Sequence, residues 1–147
     1  MRITSPAFPH GGRIPAKYTC DGVNINPPLD FHDVPKEVIS LVLIVDDPDS
    51  PTGTWNHWAV WNIDPKRTGI SEKEKGEWSE GTTTFGNIRY GGPCPGSGTH
   101  RYFFKLYALD IKLPLSEGTG KDDLISAVKG HIVAEAELMG RYEKMQK

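Results

Sequence analysis

The residues with the most chemistry to offer fall in two short segments. One is Asp47-Pro48-Asp49-Ser50-Pro51, followed closely by His57-Trp58. The other is Gly91-Gly92-Pro93-Cys94-Pro95, followed closely by His100-Arg101-Tyr102. Each histidine opens an apolar, aromatic run and follows a loop of Pro, Gly or Asp. If the two runs lie side by side, two imidazoles, two carboxylates and free backbone N–H groups line one polar cup. Such a cup suits an anion, or a zwitterion with both charges. A shared anion favours the protonated imidazoles. Prolines hold the Asp47–Asp49 loop at low entropic cost. Gly91-Gly92-Pro93 and Gly96-Ser97-Gly98 let backbone approach a ligand, and successive N–H groups there can form an anion nest.

Three chemistries compete for these groups. In the first, His57, His100 and loop N–H groups hold a phosphate, while Asp47 or Asp49 orients a histidine or meets an attached ammonium. In the second, the same histidines and aspartates bind a metal, but no close His-x-His or His-Glu-x-x-His pair supports this. In the third, Ser50 or Cys94 is a nucleophile activated by a histidine, but nothing like Gly-x-Ser-x-Gly surrounds either. The anion ranks first. Taken singly the residues are ordinary. Asp49-Ser50-Pro51 is a turn former, a strand-end histidine is commonly satisfied by a carbonyl, and a glycine loop is commonly a connector.

Strands must position these groups. Residues 38–45 are almost all apolar and read as a strand buried on both faces, ending at Asp46-Asp47-Pro48. His57-Trp58-Ala59-Val60-Trp61-Asn62-Ile63 is a second strand, with His57, Ala59, Trp61 and Ile63 on one face. Residues 101–109 form a third, with Tyr102, Phe104, Leu106 and Ala108 as its apolar face. Residues 14–18 read as a short edge strand, where proline is tolerated. Residues 66–100 read mostly as loop. Thr119-Gly120-Lys121-Asp122 resembles a capping box, Gly130 a helix stop, and 121–129 a short helix between them. Residues 131–139 alternate with period two and read as a strand; one long helix through Gly130 is the rival.

The 147 residues are one domain by length, with 16 Gly and 12 Pro favouring many turns and a β-rich fold. No βαβ rhythm appears, so the expected architecture is mainly β, an antiparallel sandwich with one or two short helices. A formal charge of −2 with no basic stripe argues against a nucleic-acid surface. The start lacks an apolar signal region, and Leu41–Val45 is too short to span a membrane, so a cytoplasmic, soluble protein is expected. In that setting Cys20 and Cys94 are read as free thiols, with a disulfide as the alternative.

The same segments resemble the signatures of the phosphatidylethanolamine-binding protein family, which includes the Raf kinase inhibitor proteins. Asp47-Pro48-Asp49-Ser50-Pro51, His57-Trp58, Gly91-Gly92-Pro93 and Gly98-Thr99-His100-Arg101-Tyr102 carry the likeness. Ile14-Pro15-Ala16-Lys17-Tyr18-Thr19-Cys20-Asp21-Gly22, Pro27-Pro28-Leu29 and residues 134–142 are similar to its short bacterial and archaeal branch. The resemblance implies a single domain over 1–147, an antiparallel β-sandwich with a small anion pocket at one end. Asp47, Asp49, His57, Gly92, Pro93, His100 and Tyr102 would line or shape that pocket, and Arg101 would supply a supporting ion pair. It implies a non-enzymatic protein, without cofactor or metal, that binds a phosphate-like anion or phosphorylated headgroup. The alternative it carries is an inhibitor of a serine protease or kinase, acting through an exposed loop in 64–90. Cys94 stands where eukaryotic members tend to have a second proline. The C-terminal helix that partly closes the pocket in those members has no counterpart in the sequence pattern.

Overall fold

A computed structural model describes residues 1–145. Nine strands form two sheets. The small sheet is β1 (Arg2–Thr4), β2 (Leu29–His32) and β5 (Gly69–Ile70), in the order β1-β2-β5. The large sheet contains β3 (Ser40–Asp47), β4 (Trp55–Ile63), β6 (Ser79–Thr82), β7 (Thr99–Leu109), β8 (Gly118–Gly120) and β9 (Ile132–Glu143). Its order is β8-β6-β4-β3-β7-β9, antiparallel except for the β6–β8 pair. The expected mainly β sandwich is therefore what the chain forms. One helix, α1 (Lys121–Val128), and one 3-10 turn over Ala16–Tyr18 complete it.

Two apolar clusters explain why β3 has no polar face. Between the sheets, Leu41, Leu43, Val45, Trp58, Val60 and Phe104 pack against Ile3, Leu29, Phe31 and Ile70. On the outer face of the large sheet, Val42, Ile44, Ala59 and Trp61 pack against Leu124 and Val128 of α1. Every residue of β3 is buried, as a strand covered on both faces requires.

The C-terminal alternation is a strand, longer than the 131–139 expected. β9 pairs with β7 from Thr99↔Glu143 to Leu109↔Ile132. Gly130, at φ +80°, ends the helical segment and lets the chain turn back. The long-helix rival is excluded by that ladder.

Three local expectations are corrected and one is refined. Residues 14–18 are not an edge strand: Pro15 cannot donate to a ladder and instead opens the 3-10 turn, with its carbonyl accepting from the Tyr18 amide at 3.0 Å. Residues 66–100 are mostly loop, as expected, interrupted by β5, β6 and the first two residues of β7. The polar β6 shows no apolar alternation because its buried Glu80 is satisfied by the indole N–H groups of Trp58 (2.7 Å) and Trp78 (3.2 Å). No capping box starts α1: Gly120 is the N-cap, and the Thr119 hydroxyl donates to the Ser116 carbonyl at 2.7 Å. Cys20 and Cys94 are not free thiols but a disulfide, with Cα atoms 5.4 Å apart. Their separation of 74 residues explains why sequence proximity gave no hint. Closing a loop of that length contributes about 4 kcal/mol in the chain-entropy account.

Candidate functional site

The site forms where three strands meet at one end of the large sheet. β3 lies between β4 and β7 and is antiparallel to both. Its last residues, Asp46 and Asp47, therefore face the first residues of β4 and β7. This brings the His57 and His100 segments together.

A bulge aims His57. Val45 pairs with Trp58 and Asp46 with Asn56, so His57 is an extra residue on β4 with no partner on β3. Bulges recur beside functional sites because they redirect a side chain. Strict alternation would put His57 and Trp58 on opposite faces. Instead Trp58 belongs to the inter-sheet cluster, and the His57 ring meets Tyr102 of that same cluster edge-on at 5.2 Å. A second irregularity sits at the other end of β4, where Asn62 takes φ +57° and its side chain pairs with the Leu113 backbone. Ile63 consequently joins the inner cluster while Ala59 and Trp61 join the outer one. The single shared face expected for His57, Ala59, Trp61 and Ile63 is broken at both ends for these reasons.

The two imidazoles are held alike. His57 Nδ1 is 2.7 Å from the Gly91 carbonyl, which only accepts, so Nδ1 carries the hydrogen and Nε2 is left over. His100 Nδ1 is 2.7 Å from Asp47 Oδ2, again leaving Nε2. Burial depresses the His57 pKa below its ordinary value, only partly offset by Gly91 and by the Asp47 and Asp46 charges. The buried Asp47 also accepts from the Asp49 amide at 2.7 Å, so both of its oxygens are engaged.

Asp49 points elsewhere. Its carboxylate accepts from the Arg101 backbone N–H and Nε (both 2.9 Å) and from the guanidinium at 2.8 Å. These Arg101 hydrogen bonds hold its pKa down at about 2. The ion pair expected of Arg101 is present, and it clamps the 47–51 loop to the start of β7.

The resulting cup is small, about 170 Å³. Of the seven residues the family resemblance placed at the pocket, Asp47, His57, His100 and Tyr102 line it, as do Ser50, Cys94 and Gly96 from the other readings. Asp49, Gly92 and Pro93 do not. Gly92 is instead a packing residue: a Cβ there would stand 2.1 Å from the Tyr18 carbonyl oxygen, and its amide donates to Asn24 Oδ1 at 2.8 Å. Pro93 holds the same loop, its carbonyl accepting from the Cys20 amide at 3.1 Å. The N–H of Gly92 is therefore committed to Asn24 and not to the cup.

Two aromatic walls escaped the sequence reading. Trp55 and Phe85 meet edge-on at 5.5 Å, and Phe85 also meets His57 edge-on at 5.1 Å. Trp55 starts a strand two residues before His57, a signal that was available. Phe85 comes from a Thr- and Gly-rich loop with no such signal.

The Tyr102 side chain is 1% exposed, and its hydroxyl has no hydrogen-bond partner. The Cys94 amide approaches it without forming a well-shaped hydrogen bond. Burial and the Asp47 charge raise its pKa, so it is a neutral donor. The Trp55 indole N–H is likewise buried without a partner. Two unused donors at the cup are what an acceptor-rich ligand satisfies.

Neither rival chemistry gains from this geometry. The Ser50 hydroxyl faces the Thr52 hydroxyl at 3.2 Å, and the Cys94 sulfur is bonded to Cys20. Among the described residues no cluster of three or more His, Cys, Asp or Glu is placed to hold a metal ion.

The family model for phosphatidylethanolamine-binding protein matches residues 4–143. The chain therefore belongs to the phosphatidylethanolamine-binding protein family, in its bacterial and archaeal branch. A UPF0098 protein of Methanothermobacter thermautotrophicus is 47% identical over 150 residues, covering 98% of this chain and 99% of that one. Another, from Chlamydia trachomatis, is 50% identical over 149 residues, covering 98% and 99%. A crystal structure of a phosphatidylethanolamine-binding protein homologue from Chlamydia trachomatis superimposes with TM-score 0.95 at 49% identity, covering 98% of this chain and 97% of that one. YbcL of E. coli, described as a member of the mammalian family, superimposes with TM-score 0.90 at 28% identity, covering 98% of each. No helix among the described residues is long and apolar enough to cross a membrane.

Proposed function

We propose that the cup binds one small phosphate-like oxyanion, free or as the end of a phosphorylated headgroup, without catalysing a reaction. The observation that carries this is the buried, unpartnered Tyr102 hydroxyl standing between two histidines whose Nδ1 atoms are already committed. Oxyanion oxygens accept from Tyr102 and from both Nε2 atoms once the rings are protonated. An ammonium is the poorer fit, because Asp47 is the one carboxylate lining the cup and both its oxygens are in use. The phosphate end of a zwitterionic headgroup is thus what the cup selects.

Proton NMR of the histidines, titrated with inorganic phosphate and then phosphoethanolamine, tests this. Saturable shifts confined to His57 and His100 are expected, with little gain from the ethanolamine. Undiminished phosphate affinity in a His57→Ala/His100→Ala double variant would sink it.

A second reading, an inhibitor acting by protein contact, draws on Phe85, which lines the cup, and on Ile88 three residues further on, which are 41% and 44% exposed. Inhibition of a serine protease or kinase that survives the double histidine variant, but not replacement of residues 84–89, favours it. Neither reading needs a cofactor, a nucleic acid or a membrane span.

A further inference from the structure

We propose that the Cys20–Cys94 disulfide is a thiol-exchange site, opened by a small thiol from the groove beside the cup, and that its opening loosens the cup's outer wall. The effect on the cup rests on the oxyanion reading above; the exchange site does not.

Both cysteines are exposed, so the bond is open to attack. Both also line a groove of about 430 Å³ shared with Asn24, Phe85 and Arg89. Arg89 has no hydrogen bond or ion pair among the described residues, and no carboxylate lines the groove. An attacking thiolate, itself an anion, therefore meets one unpaired cation and no like charge. Cys94 and Phe85 belong to the groove and to the cup at once. Cys94, one half of the bond, is thus shared by the groove and the cup's wall.

That wall depends on the bond because the backbone around it is poorly tethered. Pro93 and Pro95 have no N–H to donate. The loop's anchors lie before Cys94: the Gly91 amide on the His57 carbonyl at 2.9 Å, the Gly92 amide on Asn24, and the Cys20 amide on the Pro93 carbonyl. From Cys94 to Gly98 no well-formed hydrogen bond holds the chain among the described residues until β7 begins at Thr99. Cys94, Pro95 and Gly96 all line the cup from this stretch. Both cysteines lie outside the two apolar clusters, so the sandwich does not need the bond for its core.

The exchange balances with two thiols. The first thiolate attacks one sulfur of the bond, forming a mixed disulfide, and the other cysteine leaves as a thiolate that takes a proton from solvent. The second thiol attacks the mixed disulfide, releasing the second cysteine and the oxidised reductant. Two electrons pass from the thiols to the protein. By linkage, an anion that prefers the closed cup also makes the bond harder to reduce.

The test uses the full chain, oxidised or reduced with dithiothreitol, with thiol state read by alkylation and mass. Inorganic phosphate is titrated against the His57 and His100 resonances. The expected result is an unchanged folded spectrum on reduction, at least tenfold weaker phosphate binding, and faster amide exchange confined to residues 91–98. A Cys20→Ser/Cys94→Ser variant should behave like the reduced protein and ignore dithiothreitol. Equal affinity in both states overturns the proposal. So does loss of spectral dispersion on reduction, which makes the bond structural, or a bond that stays closed across all glutathione ratios. If phosphate binds neither state, the oxyanion reading fails by itself, and the amide exchange decides: faster at 91–98 on reduction supports the exchange site, unchanged overturns it.

Discussion

His57 carries the cup's main energetic conflict. Its ring is buried where the neutral form is favoured, yet an oxyanion is best met by the charged form. Without ligand, a depressed histidine pKa stabilises the fold above the unfolded value of about 6.5, and that contribution is lost as pH falls through the folded value. Stability should therefore decline below about pH 6.5, and saturating phosphate should oppose the decline. At neutral pH and above, binding must take up a proton. Affinity should fall by up to about tenfold per pH unit for each proton taken up. Calorimetry in two buffers of different ionisation enthalpy reads that uptake directly; a buffer-independent heat at pH 7.5 contradicts it. Tyr102 gives a second residue-level prediction. Its hydroxyl is buried without a partner, so Tyr102→Phe should leave stability unchanged or raised by about 1 kcal/mol while weakening phosphate binding roughly 5- to 10-fold. Unaltered affinity in that variant removes Tyr102 from the site. In the sequence, these roles were half legible. Asp47, His57, His100 and Tyr102, four of the residues that line the cup, were visible as types in recurring contexts. Their states were not, because burial, the Gly91 carbonyl and the Asp47 carboxylate set those, and all three are products of folding.

The elements around the cup were legible where one force dominated. The all-apolar β3 and the alternating β9 follow directly from burial on two faces and on one. Legibility ended where backbone geometry departs from an ideal period. The bulge at His57 and the left-handed Asn62 are each a one-residue event, and each moves the following side chains to another face. The loop at 91–95 shows the same limit. Its glycines suggested close approach to a ligand, but Gly92 approaches the protein's own backbone at Tyr18 and Thr19. A methyl at that position cannot be accommodated by rotating a side chain. Gly92→Ala should destabilise the fold by about 1–3 kcal/mol, as overpacking does, and should weaken phosphate binding by displacing the cup's rim. Chemical denaturation and the histidine titration check both halves. A variant as stable as the parent means that the 16–24 segment yields freely, and Gly92 is then not a packing constraint on the loop.

At the scale of the molecule, the large sheet separates two jobs. Its inner face carries the inter-sheet core, and Tyr102 at the floor of the cup belongs to that core. Its outer face carries α1, anchored by the fully buried Leu124. The two clusters share no residue. A polar link runs from the helix to the cup's end of the sheet: the Lys121 ammonium at the start of α1 lies 2.7 Å from Asp46, whose neighbour Asp47 orients His100. Asp46 is also bonded to the Asn56 amide at 3.1 Å, next to His57. The helix can therefore reach the cup through charge, while its apolar packing contributes stability alone. Leu124→Ala should cost roughly 2–5 kcal/mol, as a large-to-small change in a packed cluster does. Phosphate affinity below the melting transition should stay within about twofold, since a remote packing defect does not couple to a site that shares no partner with it. Lys121→Met is the informative contrast. It removes the closest cation from a buried carboxylate and should cost about 3 kcal/mol, the scale for breaking one side of a buried pair. Here the effect should not stop at stability: an Asp46 left with only the more distant Lys105 ammonium, at 3.8 Å, and the Asn56 amide should also shift the His57 and His100 resonances in the ligand-free protein. If Leu124→Ala moves those resonances as far as Lys121→Met does, the two faces of the sheet are not independent, and the cup must be understood as part of a single continuous core.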